Sequence, residues 1–552
     1  MNVAEVVGRV LADHGVDHVF GVVGSGNFHV TNALVAAGAR FVPAAHEGGA
    51  ASMADGFARV SGKLTALSVH QGPGVTNALT GVTEAAKSRT PLVVLAPEAT
   101  AARSNFAVDL VGLAGAIGAG FRRVTAERAA DDAAWACRTA RAGAGQTVLL
   151  ALPLDVQARP AASAPVDASV DAIDPSPPSL EPVPDVRPLV DALMAARRPV
   201  FIAGRGAARH AASARAALIA LADRCGALLA VSAAARGLFA GDPWYLDVSG
   251  GFATPLAAEL IAGADLIVAW GSTLNMWTTR HGRLLAGGAT VVQVDLDRAA
   301  LGVNRPVSLG LCGDVAAVAR ACAEELDRRG ARPDGWRTPA LRARIAADGR
   351  WRAVPYDDDG GGGRIDPRAL TIALDDLLPA ERTVVIDSGN FMGYPSMFLS
   401  VPDAAGFCFT QSFQSIGLGL ASALGAAVAR PDRLTVAALG DGGFLMSVAE
   451  LTTAVRLGLP LVVAIYDDAA YGAEVHHFGP GGHRLDTVRF PDADLAAIAR
   501  GFGCAGITVR ASGDLAAARE WLLGPRDRPL VIDAKVASVR PSWWLEEAFR
   551  GH

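Results

Sequence analysis

Short apolar runs alternate with longer, alanine-rich stretches along almost the whole chain, and this alternation limits the fold more than any other feature. The runs at 434–439 and 461–466 have the length of one strand and are almost entirely apolar. Strands of this kind are buried on both faces, as in parallel sheets covered by helices. We therefore expect an α/β protein made of doubly wound domains with parallel sheets.

Two breaks in composition divide the 552 residues into three blocks. Residues 159–188 contain eight prolines, and residues 357–363 read DDDGGGG. Both compositions are typical of linkers. We predict an N-terminal domain at 1–160, a proline-rich linker at 161–187, a central α/β domain at 188–328, a second linker at 329–365 and a C-terminal domain at 366–552.

Each block contains several predicted strands. In the first block they lie at 18–23, 64–70, 92–96 and 148–152, with a helix at 75–87. In the second block they lie at 200–203, 266–270 and 291–295, and in the third at 384–387, 434–439 and 461–466. No repeated sequence links the blocks, so any duplication is one of architecture.

The composition argues against several classes of protein. Lys and Arg number 50 against 55 Asp and Glu, without a basic cluster, which argues against nucleic-acid binding. No apolar run reaches the roughly 18 residues of a membrane span. The six cysteines form no C-x-x-C pair, and the first residues have helical periodicity rather than the features of a signal peptide. We expect a cytoplasmic protein that binds neither nucleic acid nor membranes.

The segment 434–472 contains the most specific motif. It comprises a predicted strand, a Gly-Asp-Gly-Gly loop at 440–443, a helix, a second strand and the acidic pair Asp467-Asp468. Glycines allow backbone N–H groups to approach a phosphate, and Asp441 offers the hard oxygen that Mg²⁺ prefers. The helix is predicted to begin at Ser447, with Glu450 completing a capping box. Because both loops follow parallel strands, the segment predicts a site for a metal-bound diphosphate at one edge of the sheet.

The distance between the glycine loop and the acidic pair makes this motif specific. Twenty-four residues separate GDG from Asp467. This resembles the thiamine-diphosphate motif, GDG followed at about this distance by Asn-Asn, of the family of acetolactate synthase, benzoylformate decarboxylase and pyruvate decarboxylase. The family's order of pyrimidine-binding, central and diphosphate-binding domains matches the three blocks. The resemblance therefore extends over essentially the whole chain and implies thiamine diphosphate and Mg²⁺ as cofactors.

The resemblance also implies roles for single residues. Glu47, in AAHEGGAASMADGFARVSG, stands where the family has a glutamate that donates a hydrogen bond to the pyrimidine of the cofactor and so activates it. Ile416 matches the large apolar residue under the bend of the cofactor. The implied metal ligands are Asp441, Asp468 and the backbone carbonyl of Ala470. The other implied cofactor contacts are Ser388, Gly389, Asn390, Gly440, Gly442, Gly443, Tyr471 and Gly472.

The acidic pair departs from the family pattern, because Asp467-Asp468 replaces the usual Asn-Asn. Aspartate binds Mg²⁺ at least as well as asparagine, but it adds repulsion toward a diphosphate. We expect cofactor binding to survive with altered affinity or pH dependence.

Five residues are predicted to face the substrate. His70 and Glu474 are the candidates for proton transfer, because a histidine titrates near neutrality and burial raises the pKa of a glutamate. Ser25, Gln71 and His477 are the further candidates. Each has a structural alternative. His70 stands at the end of a strand, where a histidine is commonly held by hydrogen bonds alone. His477 and the neighbouring His476 fit a solvated helix face.

The predicted reaction is acetolactate-synthase-like: decarboxylation of a 2-oxo acid followed by carboligation to a second carbonyl. The alternative is a simple 2-oxo acid decarboxylase resembling benzoylformate decarboxylase, which Glu474 and His70 favour. A third interpretation, a catalytically silent cofactor-binding subunit, is favoured only by Asp467-Asp468. Because the family builds its site from two subunits, the resemblance implies a homodimer or homotetramer.

The central block contains Gly204 and Gly206 in the sequence VFIAGRGA. In acetolactate synthases this domain holds FAD, and the two glycines could make a similar turn. A purely structural turn is the stronger interpretation, so FAD is possible but not expected. An oxidoreductase that uses this turn is a further alternative, but the chain lacks the longer dinucleotide fingerprint.

Overall fold

The computed structural model of this chain describes residues 1–101, 103–161, 183–285, 288–330 and 335–548. Its elements form three six-stranded parallel sheets flanked by helices, which confirms the predicted α/β fold. All ten predicted strands are present, and each end lies within two residues of its predicted position. Most of the linker predicted at 161–187 lies outside the described residues, which omit 162–182. Among the described residues, no helix has both the length and the hydropathy that a membrane crossing requires.

The N-terminal unit is a six-stranded sheet with amphipathic helices against it. Its strands are β1 (His18–Gly21), β2 (Arg40–Pro43), β3 (Thr65–Ser68), β4 (Leu92–Glu98), β5 (Gly120–Arg123) and β6 (Thr147–Pro153). Its helices are α1 (Val3–Asp13), α2 (Phe28–Ala36), α3 (Glu47–Ser61), α4 (Pro73–Lys87), α5 (Leu110–Ile117), α6 (Ala129–Arg141) and α7 (Leu154–Gln157). Val3, Val7 and Leu11 of α1 recur at helical spacing and are fully buried. The strand order is β2-β1-β3-β4-β6-β5.

The central unit has the doubly wound order β12-β11-β10-β7-β8-β9, in which β7 is Pro199–Ala203, β8 Leu228–Val231, β9 Tyr245–Val248, β10 Leu266–Trp270, β11 Thr290–Asp295 and β12 Leu309–Cys312. Its helices are α8 (Arg187–Ala195), α9 (Arg205–Ala208), α10 (Ala211–Cys225), α11 (Pro255–Ala262), α12 (Met276–Thr279), α13 (Val315–Arg328) and α14 (Pro339–Asp348). Helix α14 falls in the stretch predicted as the second linker, 329–365. Its buried Leu341 and Ile345 pack into the central core, so this part of the stretch is ordered.

The C-terminal unit repeats the topology of the N-terminal unit without its sequence. Its strands are β13 (Arg382–Ile386), β14 (Phe407–Phe409), β15 (Leu434–Gly440), β16 (Leu461–Asp467), β17 (Ala505–Val509) and β18 (Leu530–Lys535), in the order β14-β13-β15-β16-β18-β17. Its helices are α15 (Pro367–Leu377), α16 (Gly393–Phe398), α17 (Gly419–Ala429), α18 (Asp441–Ser447), α19 (Leu451–Arg456), α20 (Gly472–Phe478), α21 (Leu495–Gly501), α22 (Ala516–Leu523) and α23 (Trp543–Ala548).

Helix α3 of the N-terminal unit packs directly against α17 of the C-terminal unit. A Cβ atom on Gly56 would lie 2.3 Å from the carbonyl oxygen of Ser422, and one on Gly425 would lie 2.0 Å from that of Met53. Only glycine permits so close an approach of two helix backbones. Apolar side chains from both units form one continuous core around this crossing. The two units are therefore joined in a fixed orientation.

A buried group of charged residues strengthens the same junction. Arg59 of α3 donates to Asp55 Oδ1 at 2.9 Å and to Glu84 Oε1 at 2.6 Å. Glu84 of α4 accepts in turn from the backbone amides of Ser412 and Phe413 in the C-terminal unit. Asp55 and Glu84 are each 1% exposed. Removal of Arg59 would leave two buried carboxylates without the cation that is hydrogen-bonded to both.

We predict that Arg59→Met destabilises the folded chain by about 3–5 kcal/mol, the range measured when one partner of a buried ion pair is removed. Urea unfolding followed by tryptophan fluorescence should show a clearly lower midpoint than in the wild type. Arg484→Met is the matched control, because Arg484 pairs with Asp486 on the exposed surface, and its midpoint should not change. Equal midpoints for the two variants would contradict the role given to Arg59.

Candidate active site

The ends of β13, β15 and β16 border a cavity of about 600 Å³ at the carboxyl edge of the C-terminal sheet. Ligands of open α/β sheets bind at such an edge. All residues of this unit that the sequence analysis linked to the cofactor line the cavity, namely Ser388, Gly389, Asn390, Ile416, Gly440, Asp441, Gly442, Gly443, Asp468, Ala470, Tyr471 and Gly472. Glu474 also lines it. The structure thus brings the predicted cofactor contacts together with one candidate for proton transfer.

The glycine loop follows β15 without a gap. Helix α18 begins at Asp441, whereas the sequence pattern predicted a helix start at Ser447. A Cβ atom on Gly442 would lie 2.7 Å from the ring of Tyr471, and one on Gly443 would lie 2.5 Å from Asp387 Oδ2. A side chain at either position would therefore push the loops apart. The close approach leaves bare backbone at the cavity wall, which is the surface that a phosphate group requires.

Asp387 joins two of the loops around the cavity. Its buried carboxylate accepts hydrogen bonds from the backbone amides of Ser388 at 2.8 Å and of Gly417 at 2.9 Å. Burial raises the pKa of this carboxyl to about 6, although the amides oppose the shift. Asp387 thereby holds the loop at 388–390 beside the turn that carries Ile416. The sequence analysis did not assign this role, because it depends on a contact between distant loops.

Two carboxylates at the cavity destabilise each other's charge. Burial raises the pKa of Asp441 to about 8, and the neighbouring Asp468 and Asp467 add to the shift. Burial likewise raises the pKa of Asp468 to about 6, against a hydrogen bond from the Ser538 hydroxyl at 3.1 Å. A divalent cation between Asp441 and Asp468 would remove this penalty, since both side chains offer the oxygen ligands of Mg²⁺. The residues therefore fit the metal that the sequence predicted.

A metal at this position would need ligands beyond side chains. Among the described residues, no three Asp, Glu, His or Cys side chains form a metal-binding group. Mg²⁺ commonly binds one or two carboxylates and completes its shell with backbone, water or phosphate oxygens. Ala470, whose backbone carbonyl is the third predicted ligand, lines the same cavity.

Asp467, the first residue of the acidic pair, does not line the cavity. Its Oδ2 lies 2.5 Å from Lys535 Nζ, and both side chains are almost completely buried. Its Oδ1 accepts from the backbone amide of Ala469 at 3.0 Å. Successive residues of a strand point to opposite faces, so the pair at the end of β16 sends only Asp468 toward the cavity.

The four N-terminal candidates form a separate group. Ser25 Oγ lies 3.4 Å from His70 Nε2. A Cβ atom on Gly74 would lie 3.0 Å from His70 Cβ and 3.3 Å from Glu47 Oε1, so His70 and Glu47 flank one glycine. Gln71 is 4% exposed, and its Oε1 has no hydrogen-bond partner among the described residues. None of the four side chains lines the C-terminal cavity of the same chain.

Glu450 connects this N-terminal group to the C-terminal unit. Its carboxylate accepts hydrogen bonds from the backbone amides of Ala45 and His46, each at 3.1 Å. A Cβ atom on Gly49 would lie 2.0 Å from Glu450 Oε1, so this glycine makes room for the carboxylate. The capping-box prediction is therefore wrong, because Ser447 makes no side-chain cap hydrogen bond. The carboxylate of Glu450 accepts instead from the amides of the N-terminal unit and from the Thr453 hydroxyl at 2.9 Å. Glu450 instead fixes the segment that precedes Glu47.

The histidines of α20 differ in their surroundings. His477 packs against the ring of Phe478 with centroids 4.6 Å apart, and it does not line the cavity. His476 Nε2 lies 3.1 Å from the Ser538 hydroxyl, which donates to Asp468. The structure thus links His476, rather than the predicted His477, to the acidic side of the cavity.

Aromatic residues that the sequence analysis missed form another part of the wall. Trp277 of α12 and Trp544 of α23 both line the cavity, with ring centroids 5.8 Å apart. Trp544 Nε1 donates to the backbone carbonyl of Asn390 at 2.9 Å, and Ser542 Oγ donates to the same carbonyl at 2.8 Å. These contacts attach the C-terminal segment to the loop of Asn390. Only the unusual pair Trp543-Trp544 could have signalled them in the sequence.

The glycine turn of the central unit has a structural explanation. A Cβ atom on Gly204 would lie 2.3 Å from the carbonyl oxygen of Gly271, and one on Gly206 would lie 2.8 Å from Gly271 Cα. Both glycines are thus required because the chain segments that follow β7 and β10 approach too closely for a side chain. The turn therefore gives no separate reason to expect FAD.

Comparison with known proteins places each unit in one family. Models of the thiamine pyrophosphate enzymes match residues 1–118 as the N-terminal TPP binding domain, residues 186–322 as the central domain and residues 387–534 as the C-terminal TPP binding domain. Thiamine pyrophosphate is another name for thiamine diphosphate. The matches confirm the family resemblance that was inferred from the segment 434–472 and from the segment around Glu47.

Similar proteins match over nearly their whole length. Sulfoacetaldehyde acetyltransferase of Rhodobacter capsulatus is 29% identical, with 93% of this chain and 90% of that protein covered. Probable 2-ketoarginine decarboxylase of Pseudomonas aeruginosa is 30% identical over 92% and 89%. Acetolactate synthase isozyme 2 large subunit of Escherichia coli is 27% identical over 99% and 97%.

A solved structure has the same fold. The thiamine diphosphate-dependent 4-hydroxybenzoylformate decarboxylase of Rhodococcus jostii superimposes with a TM-score of 0.81 at 23% identity, covering 97% of this chain and 99% of that one. At this identity the likeness concerns the fold alone. Together with the family models and the relatives, which are named as an acetyltransferase, a probable decarboxylase and a synthase, it leads to one conclusion: the chain belongs to the thiamine pyrophosphate enzyme family.

Proposed function

We propose that the C-terminal cavity holds the diphosphate end of thiamine diphosphate together with Mg²⁺. The backbone N–H groups of Gly442 and Gly443 would donate hydrogen bonds to the phosphates. Asp441, Asp468 and the carbonyl of Ala470 would bind the metal. The observation that carries this proposal is the pair of buried carboxylates with raised pKa values beside a glycine loop, because a bound cation relieves their repulsion.

We further propose that the site is completed by a second copy of this chain in a homodimer or homotetramer. Glu47, His70, Ser25 and Gln71 lie outside the cavity of their own chain, although a cofactor bent between its two rings needs both groups. Large apolar side chains near both groups are exposed, among them Phe28, Phe106, Phe413, Leu445 and Met446. Burial of such side chains would stabilise association of two chains. In this assembly residues 1–160 act as the pyrimidine-binding domain and residues 366–552 as the diphosphate-binding domain.

The proposed reaction is decarboxylation of a 2-oxo acid and transfer of the remaining acyl unit to a second carbonyl compound. Bound thiamine diphosphate supplies an electron sink for the bond that breaks at the carbonyl carbon. Glu47 donates a hydrogen bond to the pyrimidine, Ile416 supports the bend between the rings, and His70 with Ser25 holds or moves a proton near the substrate. Relatives named acetyltransferase and acetolactate synthase support transfer to an acceptor.

A simple decarboxylase is the second candidate, and one observation favours it. Glu474 lines the cavity, where its carboxyl group could protonate the reacting carbon after loss of CO₂. The relative named 2-ketoarginine decarboxylase is consistent with this outcome. The two candidates differ only in whether a proton or a second carbonyl reaches that carbon.

Product analysis distinguishes these candidates. The purified chain with thiamine diphosphate and Mg²⁺ is incubated with 2-oxo acids from pyruvate to benzoylformate, with and without a second carbonyl compound. We expect CO₂ and a 2-hydroxyketone or acetohydroxy acid, identified by mass spectrometry. CO₂ with an aldehyde alone would establish the decarboxylase instead. Absence of CO₂ from every acid, despite tight cofactor binding, would contradict both candidates.

Glu47→Gln should keep cofactor affinity and lose about 10²–10⁴-fold in kcat, the usual contribution of one proton-transfer group. The amide fills the same space and can donate a hydrogen bond, but unlike a carboxyl group it cannot transfer a proton. Glu127→Gln, an exposed glutamate of the same unit, is the control and should retain wild-type kcat. Normal exchange of the C2 proton of the bound cofactor in Glu47→Gln, followed by NMR, would remove Glu47 from this role.

Shared sites predict complementation between inactive variants. Glu47→Gln and Asp441→Ala chains carrying different affinity tags are co-expressed, and the mixed dimers are isolated by both tags. One of the two sites in each mixed dimer carries neither substitution. The isolated mixed dimers should recover about half of the wild-type activity per dimer, since two-fold symmetry places one intact site in each. Inactive mixed dimers would show that each chain uses its own Glu47.

A further inference from the structure

Lys535 is a buried lysine at the end of β18, beside the acidic end of β16. The sheet register pairs it directly with Asp467, and the residue is 1% exposed. A buried ammonium group is stable only when charges and hydrogen bonds replace its water. The chain supplies several partners for Lys535 Nζ: Asp467 Oδ2 at 2.5 Å, the carbonyl of Ala493 at 2.5 Å, Asp492 Oδ1 at 2.8 Å and Asp533 Oδ2 at 3.2 Å.

The use of lysine at this position is unusual for this chain. Only Lys63, Lys87 and Lys535 are lysines among 50 Lys and Arg residues. An ammonium group is a compact point charge with three donors, whereas a guanidinium is a wide planar fork. The space between the ends of β16 and β18 is therefore filled by an ammonium group, which is smaller than a guanidinium group.

Asp467 uses its two oxygens for two tasks. One oxygen contacts Lys535, and the other accepts from the amide of Ala469 at 3.0 Å. Ala469 lies between Asp468 and Ala470, the two residues of this turn that line the cavity. The backbone of Ala469 has φ +57°, a left-handed conformation that residues other than glycine rarely adopt. The hydrogen bond from its amide to Asp467 stabilises this conformation. The ion pair is thus connected to the turn that carries two proposed metal ligands.

The family pattern that the chain resembles has a neutral asparagine in place of Asp467. An asparagine oxygen can also accept from the amide of Ala469, and it needs no cation. An aspartate in the same buried place brings a negative charge close to Asp441 and Asp468. These two residues are the proposed ligands of Mg²⁺, and the added charge repels the diphosphate that would bind beside them. Lys535 offsets the negative charge of Asp467, which is its nearest carboxylate at 2.5 Å, although Asp492 and Asp533 share the same ammonium group at 2.8 and 3.2 Å.

We propose that Lys535 is a positioning residue for the cofactor site, which neutralises Asp467 and fixes the turn that presents Asp468 and the Ala470 carbonyl to the metal. This inference rests on the proposed function of the C-terminal cavity. It explains how the chain tolerates Asp-Asp where its family has Asn-Asn: the second aspartate faces the cavity, and the first is paired inside the sheet.

The test is a cycle of variants whose affinity for Mn²⁺ and thiamine diphosphate is measured by calorimetry and by the EPR signal of free Mn²⁺. Lys535→Met should weaken binding at least about tenfold, as is usual when a group that orients a metal ligand is lost. Asp467→Asn alone should bind within about threefold of the wild type, and Asp467→Asn in the Lys535→Met background should recover most of the lost affinity. Lys63→Met, which removes an exposed lysine paired with Asp17, is the control.

Thermal unfolding midpoints separate positioning from general stability. A purely structural role would lower the midpoint of Lys535→Met but leave the Mn²⁺ affinity of its folded fraction unchanged, and that result would overturn the inference. The same holds if the double variant binds as weakly as Lys535→Met. If Lys535→Met does not fold, Asp467→Ala serves instead, because it keeps the lysine and removes the acceptor of the Ala469 amide. Wild-type affinity in Asp467→Ala would then overturn the inference.

The proposed function and this inference fail in different ways. If the wild-type chain binds no Mn²⁺ with thiamine diphosphate, the proposed function is wrong. If the wild type binds Mn²⁺ and thiamine diphosphate, and the Lys535 and Asp467 variants bind them with wild-type affinity, only the role of Lys535 is wrong.

Discussion

The crossing of α3 and α17 is the contact on which the rest of the site depends. Because Gly56 and Gly425 have no side chains, the two helix backbones touch. This brings Glu450 within hydrogen-bond distance of the segment before Glu47, and it brings Glu84 to the amides of the loop that leads to Ile416. Each chain therefore holds Glu47 and the glycine loop at 440–443 in a fixed arrangement. In the proposed dimer these two parts serve different sites.

The energetic cost of burying a negative charge is offset in two different ways among the carboxylates around the cavity. Asp441 and Asp468 form no salt bridge with a described residue, and burial raises their pKa values. Such a pair is stabilised by a divalent ion. Asp467 lies one residue away and is paired with Lys535, so it does not depend on a ligand. The proposed metal site therefore depends on the pairing of Asp467 as well as on the positions of Asp441 and Asp468.

The fold and the C-terminal half of the site could be predicted from the sequence because their signals are local. The apolar runs that became β15 and β16 and the loop at 440–443 are each readable within a few residues. Glu450 was misread as a helix cap, because its partners Ala45 and His46 are distant in sequence. Lys535 and Trp277 gave no local signal, since their roles arise where separate strands or units meet. The choice between His476 and His477 likewise required the position of Ser538.

The most direct test is a crystal structure of the chain with thiamine diphosphate and Mn²⁺, with the metal located by anomalous scattering. We expect Mn²⁺ bound by Asp441, Asp468 and the carbonyl of Ala470, with the diphosphate on the glycine loop and the pyrimidine beside Glu47 of a second copy. A metal bound elsewhere, or a pyrimidine that contacts Glu47 of the same chain, would contradict the proposed two-chain site.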